Sequence, residues 1–190
     1  MGAVRITSGA LRGRKVETPA GEATRPLLTR LRKSLADILR PRLRGARVLD
    51  LFAGSGAVAL ELLSNGADEV VAVEQAPEAA ALVARNVQCL GVAGRVRVIG
   101  ADALEACREL GARGERFDVV LIMPPYWKGL QQQALDAVVR AGLVAPGGVV
   151  VVQRHRDEPG AVPPRGLGLV RSRTYGRTAF DFYEPAPGEG

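Results

Sequence analysis

Short apolar runs recur along the middle of this chain, and between them the apolar positions fall at helical spacing. Strands are predicted near 46–51, 69–74, 95–100, 117–122 and 147–153, and helices near 57–65, 77–90, 103–111 and 130–142. Apolar strands alternating with helices imply a parallel sheet covered on both faces. Asp102 followed by Glu105 makes a capping-box-like start for the third of these helices. Near the end the rhythm changes. Gly168-Leu169-Val170-Arg171 and Ala179-Phe180-Asp181-Phe182-Tyr183 have only a turn between them, so they predict an antiparallel pair at the sheet edge. The beginning differs again. Arg5-Ile6-Thr7 and Lys15-Val16-Glu17-Thr18 predict two short strands joined by the glycine-punctuated basic turn Ser8 to Arg14. Pro26 opens a helix running to about Leu39, with Leu28, Leu31, Leu35, Ile38 and Leu39 on one face, and Pro41 is expected to stop it. The chain therefore divides into a basic hairpin-and-helix appendage, residues 1–45, and an α/β domain, residues 46–190.

A chain of 190 residues, 47% apolar, fits one domain with a real core. No apolar run reaches the roughly eighteen residues of a membrane span, and the start, Met1 to Arg5, resembles neither a signal nor a transit peptide. A cytoplasmic location without membrane contact is expected. Cys89 and Cys107 lack metal-ligand spacing and read as buried free thiols of a reducing compartment. The single histidine, His155, argues against a histidine metal site or a Ser-His-Asp triad, so no metal is expected. Charge is segregated: residues 1–47 carry twelve Lys/Arg against three Asp/Glu, and the remainder fourteen against seventeen. A basic segment ahead of a near-neutral domain suggests a polyanionic partner.

The candidate chemistry starts at Val48-Leu49-Asp50-Leu51-Phe52-Ala53-Gly54-Ser55-Gly56, a strand ending in an acid, a glycine turn, then a helix. The turn lets backbone N–H groups approach an anionic group at a helix N-terminus. Asp50 suits a cationic amino group. A ligand with both ends, such as the amino-acid part of S-adenosylmethionine (SAM), meets both demands. Gly54-x-Gly56-x-x-Ala59 also fits a dinucleotide fingerprint, but a pyrophosphate would be repelled by Asp50. Ligands of open parallel sheets bind at the carboxyl ends of the strands. There Glu74 suits the ribose hydroxyls, Asp102 the adenine amino group, and the Ala103 N–H a ring nitrogen. After the fourth strand, Met123-Pro124-Pro125-Tyr126 offers proline-framed carbonyls to an amino group on a base and a flat ring to stack it. Trp127 either adds a second aromatic wall or packs.

With those residues in hand, the chain resembles the RsmD family of SAM-dependent enzymes, which methylate the N2 amino group of a guanine in small-subunit (16S) ribosomal RNA. The resemblance rests on Arg5-Ile6, Gly9, Arg12-Gly13-Arg14, Thr24-Arg25-Pro26, Arg30-Leu31-Arg32, Asp50 to Gly56, Glu74, Asn86, Pro124-Pro125-Tyr126 and Tyr175-Gly176. It implies a Rossmann-like class I SAM-dependent methyltransferase: a seven-stranded, mostly parallel α/β sheet with an antiparallel last strand. The implied cofactor site is Asp50, Phe52, Gly54, Gly56, Glu74, Gln75, Asp102 and Ala103, and the implied catalytic segment Met123, Pro124, Pro125 and Tyr126. Arg12, Arg14, Lys15, Arg25, Arg30 and Arg32 are the expected RNA contacts. The expected partner is small-subunit ribosomal RNA, with ribosomal proteins of the assembled subunit, for a monomeric enzyme. The chain departs from the family at Leu27, Thr29, Lys33 and Ala36, where Thr, Asp, Glu and Phe are usual, and most seriously at Met123, where the family usually has Asp. Met123 leaves open a weakly active or non-catalytic SAM- and RNA-binding assembly protein, beside another DNA or RNA amino-group methyltransferase and a nucleotide-dependent oxidoreductase.

Overall fold

The structure, a computed structural model, describes residues 1–19 and 26–186; Arg25, and the side chain of Leu28, lie outside it. The chain opens with an antiparallel hairpin of β1 (Gly2–Arg5) and β2 (Lys15–Thr18), followed by α1 (Pro26–Leu43). Strands and helices then alternate: β3 (Arg47–Asp50), α2 (Ala57–Ser64), β4 (Glu69–Val73), α3 (Pro77–Leu90), β5 (Val96–Ile99), α4 (Ala103–Ala112), β6 (Phe117–Ile122), α5 (Leu130–Arg140) and β7 (Val144–His155). Strands β8 (Leu167–Tyr175) and β9 (Thr178–Pro185) close the chain.

Seven strands form one sheet in the order β5-β4-β3-β6-β7-β9-β8. Strands β3 to β7 pair in parallel, and β9 runs antiparallel to both β7 and β8. The pleat sorts each apolar strand onto two cores. Val48, Val70, Val119 and Val149 join α1, α2 and α3 on one face. Leu49, Val71, Val120 and Val150 join α4 and α5 on the other. Burial on both faces is why these strands read as apolar runs rather than alternations.

Three expectations are corrected. The first strand ends at Arg5 rather than running through Thr7, because the Thr7 and Ser8 N–H groups turn away to the Glu61 carboxylate of α2, at 3.0 and 3.1 Å. Pro41 does not stop α1, which continues to Leu43. Pro41 removes only one helical donor, in a last turn that Leu39 and Leu43 bury against the sheet. Cys107 is buried, but Cys89 is exposed on α3.

Helix α1 is not merely appended, since Leu31, Leu35, Leu39 and Leu43 lie in the same core as β3 and β6. The hairpin is fastened through Glu61, which is fully buried. Its carboxylate accepts the Thr7 hydroxyl at 2.6 Å and Arg32 Nε at 3.4 Å. Arg32 also donates to the Arg5 carbonyl at 2.8 Å. Burial pushes the Arg32 pKa below its usual value, and Glu61 opposes that. At Gly9 the turn passes so close that a Cβ would lie 1.8 Å from the Ser64 carbonyl oxygen. Removing one member of a buried charge pair strands the other. Glu61→Ala should therefore cost about 3–5 kcal/mol in urea unfolding. Glu61→Gln, which keeps an acceptor for the two N–H groups, should lose clearly less.

Candidate active site

Parallel pairing brings the carboxyl ends of β3, β4 and β5 to one sheet edge, and Asp50, Glu74 and Asp102 stand there or just beyond. Asp50 is 1% exposed. The Phe52 N–H donates to it at 3.3 Å. Burial raises its pKa to about 7, with Glu74 adding repulsion and the Phe52 bond opposing. Such a carboxylate awaits a cation. Glu74 is held off by backbone donors: Gly54 N–H reaches Oε2 and Ala76 N–H reaches Oε1, both at 2.9 Å. Gly54 has φ +56°, and a Cβ there would meet nothing within 4 Å, so the loop is open on its ligand side. Asp102 caps α4, its Oδ1 accepting from Leu104 and Glu105 N–H groups. Ala103 is buried behind it and Gln75 is exposed beside Glu74.

A cavity of about 210 Å³ adjoins this edge. It is lined by Asp50, Phe52 and Gly54 from the cofactor set, and by Met123 from the catalytic segment. Glu74 adjoins it through Gly54, whereas Gly56, Gln75, Asp102, Ala103 and the residues Pro124 to Tyr126 are not among its lining. Pro124 is buried, Pro125 exposed and Tyr126 half-buried. The Tyr126 hydroxyl is fixed by Thr178 Oγ1 at 2.9 Å and Gln153 Nε2 at 3.3 Å. Larger hollows lie between α4 and α5, about 570 Å³, and beside the hairpin turn, about 810 Å³, but neither contains a strand-tip acid.

Two lining residues escaped the sequence reading. Gln153 ends the buried part of β7, so the strand-tip rule that found Asp50 points to it too. Thr18 is 2% exposed and its hydroxyl has no partner among the described residues. A buried hydroxyl in the cavity wall with no partner among the described residues is suited to a polar ligand group. Nothing in the β2 sequence signals that. The donor set thus fits SAM: an acid for its amino group, glycine-loop amides and the Thr18 hydroxyl for its carboxylate.

Glu158, also unflagged, organises the other side. It is 7% exposed and accepts N–H groups of Trp127 and His155, with the Gln131 amide nearby. Trp127 sits at φ +62°, the only left-handed non-glycine among the described residues, at a cost of order 1–3 kcal/mol. His155 is half-buried; its ring lies 5.7 Å from that of Tyr126 and 5.2 Å from that of Trp127.

Of the basic candidates, Arg12, Arg14, Lys15 and Arg30 are exposed. Arg32 is corrected: it is 6% exposed, paired with Glu61, and lines the cavity instead of standing on the outer surface with the other arginines. Arg12 lines the hollow beside the hairpin with Lys33 and Arg40.

The fold is the Rossmann-like class I fold of SAM-dependent methyltransferases. A family model described as conserved hypothetical protein 95 matches residues 4–184. Ribosomal RNA small subunit methyltransferase D of Escherichia coli K12 is 30% identical over 183 residues, 96% of this chain and 90% of its own. The structure of yhhF from Escherichia coli superposes with TM-score 0.87 at 28% identity, covering 98% of this chain and 100% of that one. A hypothetical protein from Thermus thermophilus does so with 0.79 at 38% identity, covering 94% and 98%.

The folded pKa of Asp50 lies above its unfolded value, so the folded state binds this proton more tightly. Stability of the ligand-free protein should fall by a few kcal/mol from about pH 4 to above pH 7 as the buried carboxylate ionises. Asp50→Asn should flatten that part of the profile in urea melts at pH 5 and pH 8, while abolishing SAM binding by calorimetry.

Proposed function

The chain belongs to the RsmD family, and from that membership we propose that it transfers a methyl group from SAM to the N2 amino group of a guanine in small-subunit ribosomal RNA. The observation that carries this reading is a single cavity lined by Asp50 on the cofactor side and by Met123 and Gln153 on the base side, with Tyr126 hydrogen-bonded to Gln153. When bound, SAM supplies a methyl group activated on a positively charged sulfur. The chain's part is to bind and to aim. Asp50 takes the amino group. Glu74 has spare lone pairs for the ribose hydroxyls after its two backbone bonds. Asp102 has Oδ2 for the adenine amine, because both capping bonds fall on Oδ1.

On the other side, the Pro124 carbonyl accepts a hydrogen bond from the target amine and the Tyr126 ring stacks its base. These contacts would hold the amine in line with the methyl group, whose bond to sulfur would break as the bond to nitrogen forms, with water to take the proton. Exposed Arg12, Arg14, Lys15 and Arg30 hold phosphates while the guanine is splayed out of its strand. Residues 1–45 act as the RNA grip and residues 46–190 as the catalytic domain of a cytoplasmic monomer.

Met123 supports a second reading, a slow or non-catalytic SAM- and RNA-binding assembly protein. Its side chain packs on the apolar core and cannot accept a useful hydrogen bond from the amine. Tritium from labelled SAM should enter undermethylated small subunits and not DNA, and mass mapping should place it on one guanine. Incorporation that appears only after Met123→Asp would favour the second reading, and transfer to DNA would exclude the first. Replacing Arg12 and Arg14 by Ala should weaken RNA binding and lower the slope of log affinity against log salt by about 1–2. An unchanged slope would remove the hairpin from the RNA interface.

A further inference from the structure

Trp127 is the chain's single tryptophan and is 62% exposed. Burial cannot explain its strained backbone, because its ring is in water. The strain is maintained from below: the buried Glu158 carboxylate grips the Trp127 N–H, and the same carboxylate takes the His155 N–H at 2.7 Å. The ring is thereby propped over His155, tilted by 40°. His155 in turn meets Tyr126 edge-on, so one imidazole separates the base-stacking tyrosine from a second aromatic shelf. Basic residues neighbour that shelf along the chain. Lys128 follows it in sequence, Arg156 follows His155, and the Arg156 N–H bonds the Arg177 carbonyl at 2.8 Å; all three side chains are exposed. Asp157 lies at 3.4 Å from Arg156 and 3.5 Å from His155, but it is exposed and offsets one of the three charges.

We propose that Trp127 is a stacking platform for an unpaired RNA base adjoining the modified one, with Lys128, Arg156 and Arg177 holding the phosphates on either side. This rests on the RNA methyltransferase reading and extends it: RNA is gripped at both ends of the site, by the hairpin and by this shelf. An exposed ring with exposed basic residues on the segments joined to it suits a strand on which every base can stack. A protein partner would call for an apolar surround instead.

The single tryptophan is its own reporter. A mixed-sequence single-stranded RNA dodecamer should quench its emission on binding. Trp127→Ala should weaken that RNA roughly 5–150-fold, Trp127→Phe should restore most of the loss, and both should bind SAM as the wild type does. Trp127→Gly should melt no lower than the wild type, because glycine relaxes the left-handed backbone, yet bind RNA as weakly as Trp127→Ala. RNA that binds with unmoved emission, or equally tightly to Trp127→Ala, overturns the platform. If small subunits are methylated while emission stays unmoved, the platform falls and the function stands. If quenching persists without methylation of small subunits, the platform stands and that function falls.

Discussion

Asp50 ends the central strand of the sheet with a carboxylate that water barely reaches, and the charge that most perturbs it, Glu74, has the same sign. An arrangement of this kind costs stability unless a cation arrives. The rest of the edge is shaped around that cost. Glu74 is turned onto the N–H groups of Gly54 and Ala76, which locks the glycine loop against the tip of the neighbouring strand. The Glu74 hydrogen bonds thus position the loop in the ligand-free protein. Strand β3 can carry the burden because it is central, paired on both sides and buried on both faces.

The N-terminal segment is not free of this edge. Asn86 of α3 accepts the Glu17 N–H at 2.8 Å and donates to the carbonyls of Glu17 and Ser55, so one amide joins the hairpin, the glycine loop and a core helix. Glu61 joins the hairpin to α2 and α1. Through Thr18 the hairpin also contributes to the cavity wall. In the proposed function this matters for alignment. A phosphate grip on a hinged arm would let the target base wander, and small misplacements erode the advantage of orientation. A grip welded to the cofactor loop fixes the distance between held RNA and transferred methyl.

The strands and helices of the sheet were legible because each is buried on a defined face and its periodicity records that. Boundaries of α2 to α5 fall within two residues of expectation, helped by Asp102, Pro77 and the αL Gly91. The antiparallel pair was legible from two apolar stretches too close for a helix. What failed was long-range. Whether Thr7 continues a strand depends on Glu61, fifty-four residues away. Whether Arg32 faces water depends on the same carboxylate. Pro41 carries a local stop signal that Leu43 burial outweighs. In the site, residues at strand tips could be read by rule, but Thr18 and Glu158 act through contacts across elements that no spacing encodes.

Met123 poses the sharper chemical question. A carboxylate there would do two things: accept a hydrogen bond that aligns the lone pair of the amine, and attract its departing proton. The second is dispensable if the proton leaves after the methyl has moved. The first is not, since attack on the methyl demands direction. Two nearby groups can supply it. The backbone carbonyl of buried Pro124, next to Met123, is one acceptor, and Gln153 presents an amide to the same cavity as Met123. An amide oxygen accepts as a carboxylate does, without charge, and therefore without adding a third acid to an edge that already holds Asp50 and Glu74 in mutual repulsion. Met123 gives that cavity an apolar, adaptable wall. In the proposed function transfer would rest on positioning, a route that can provide up to about 7–11 kcal/mol when the reactants are well aligned.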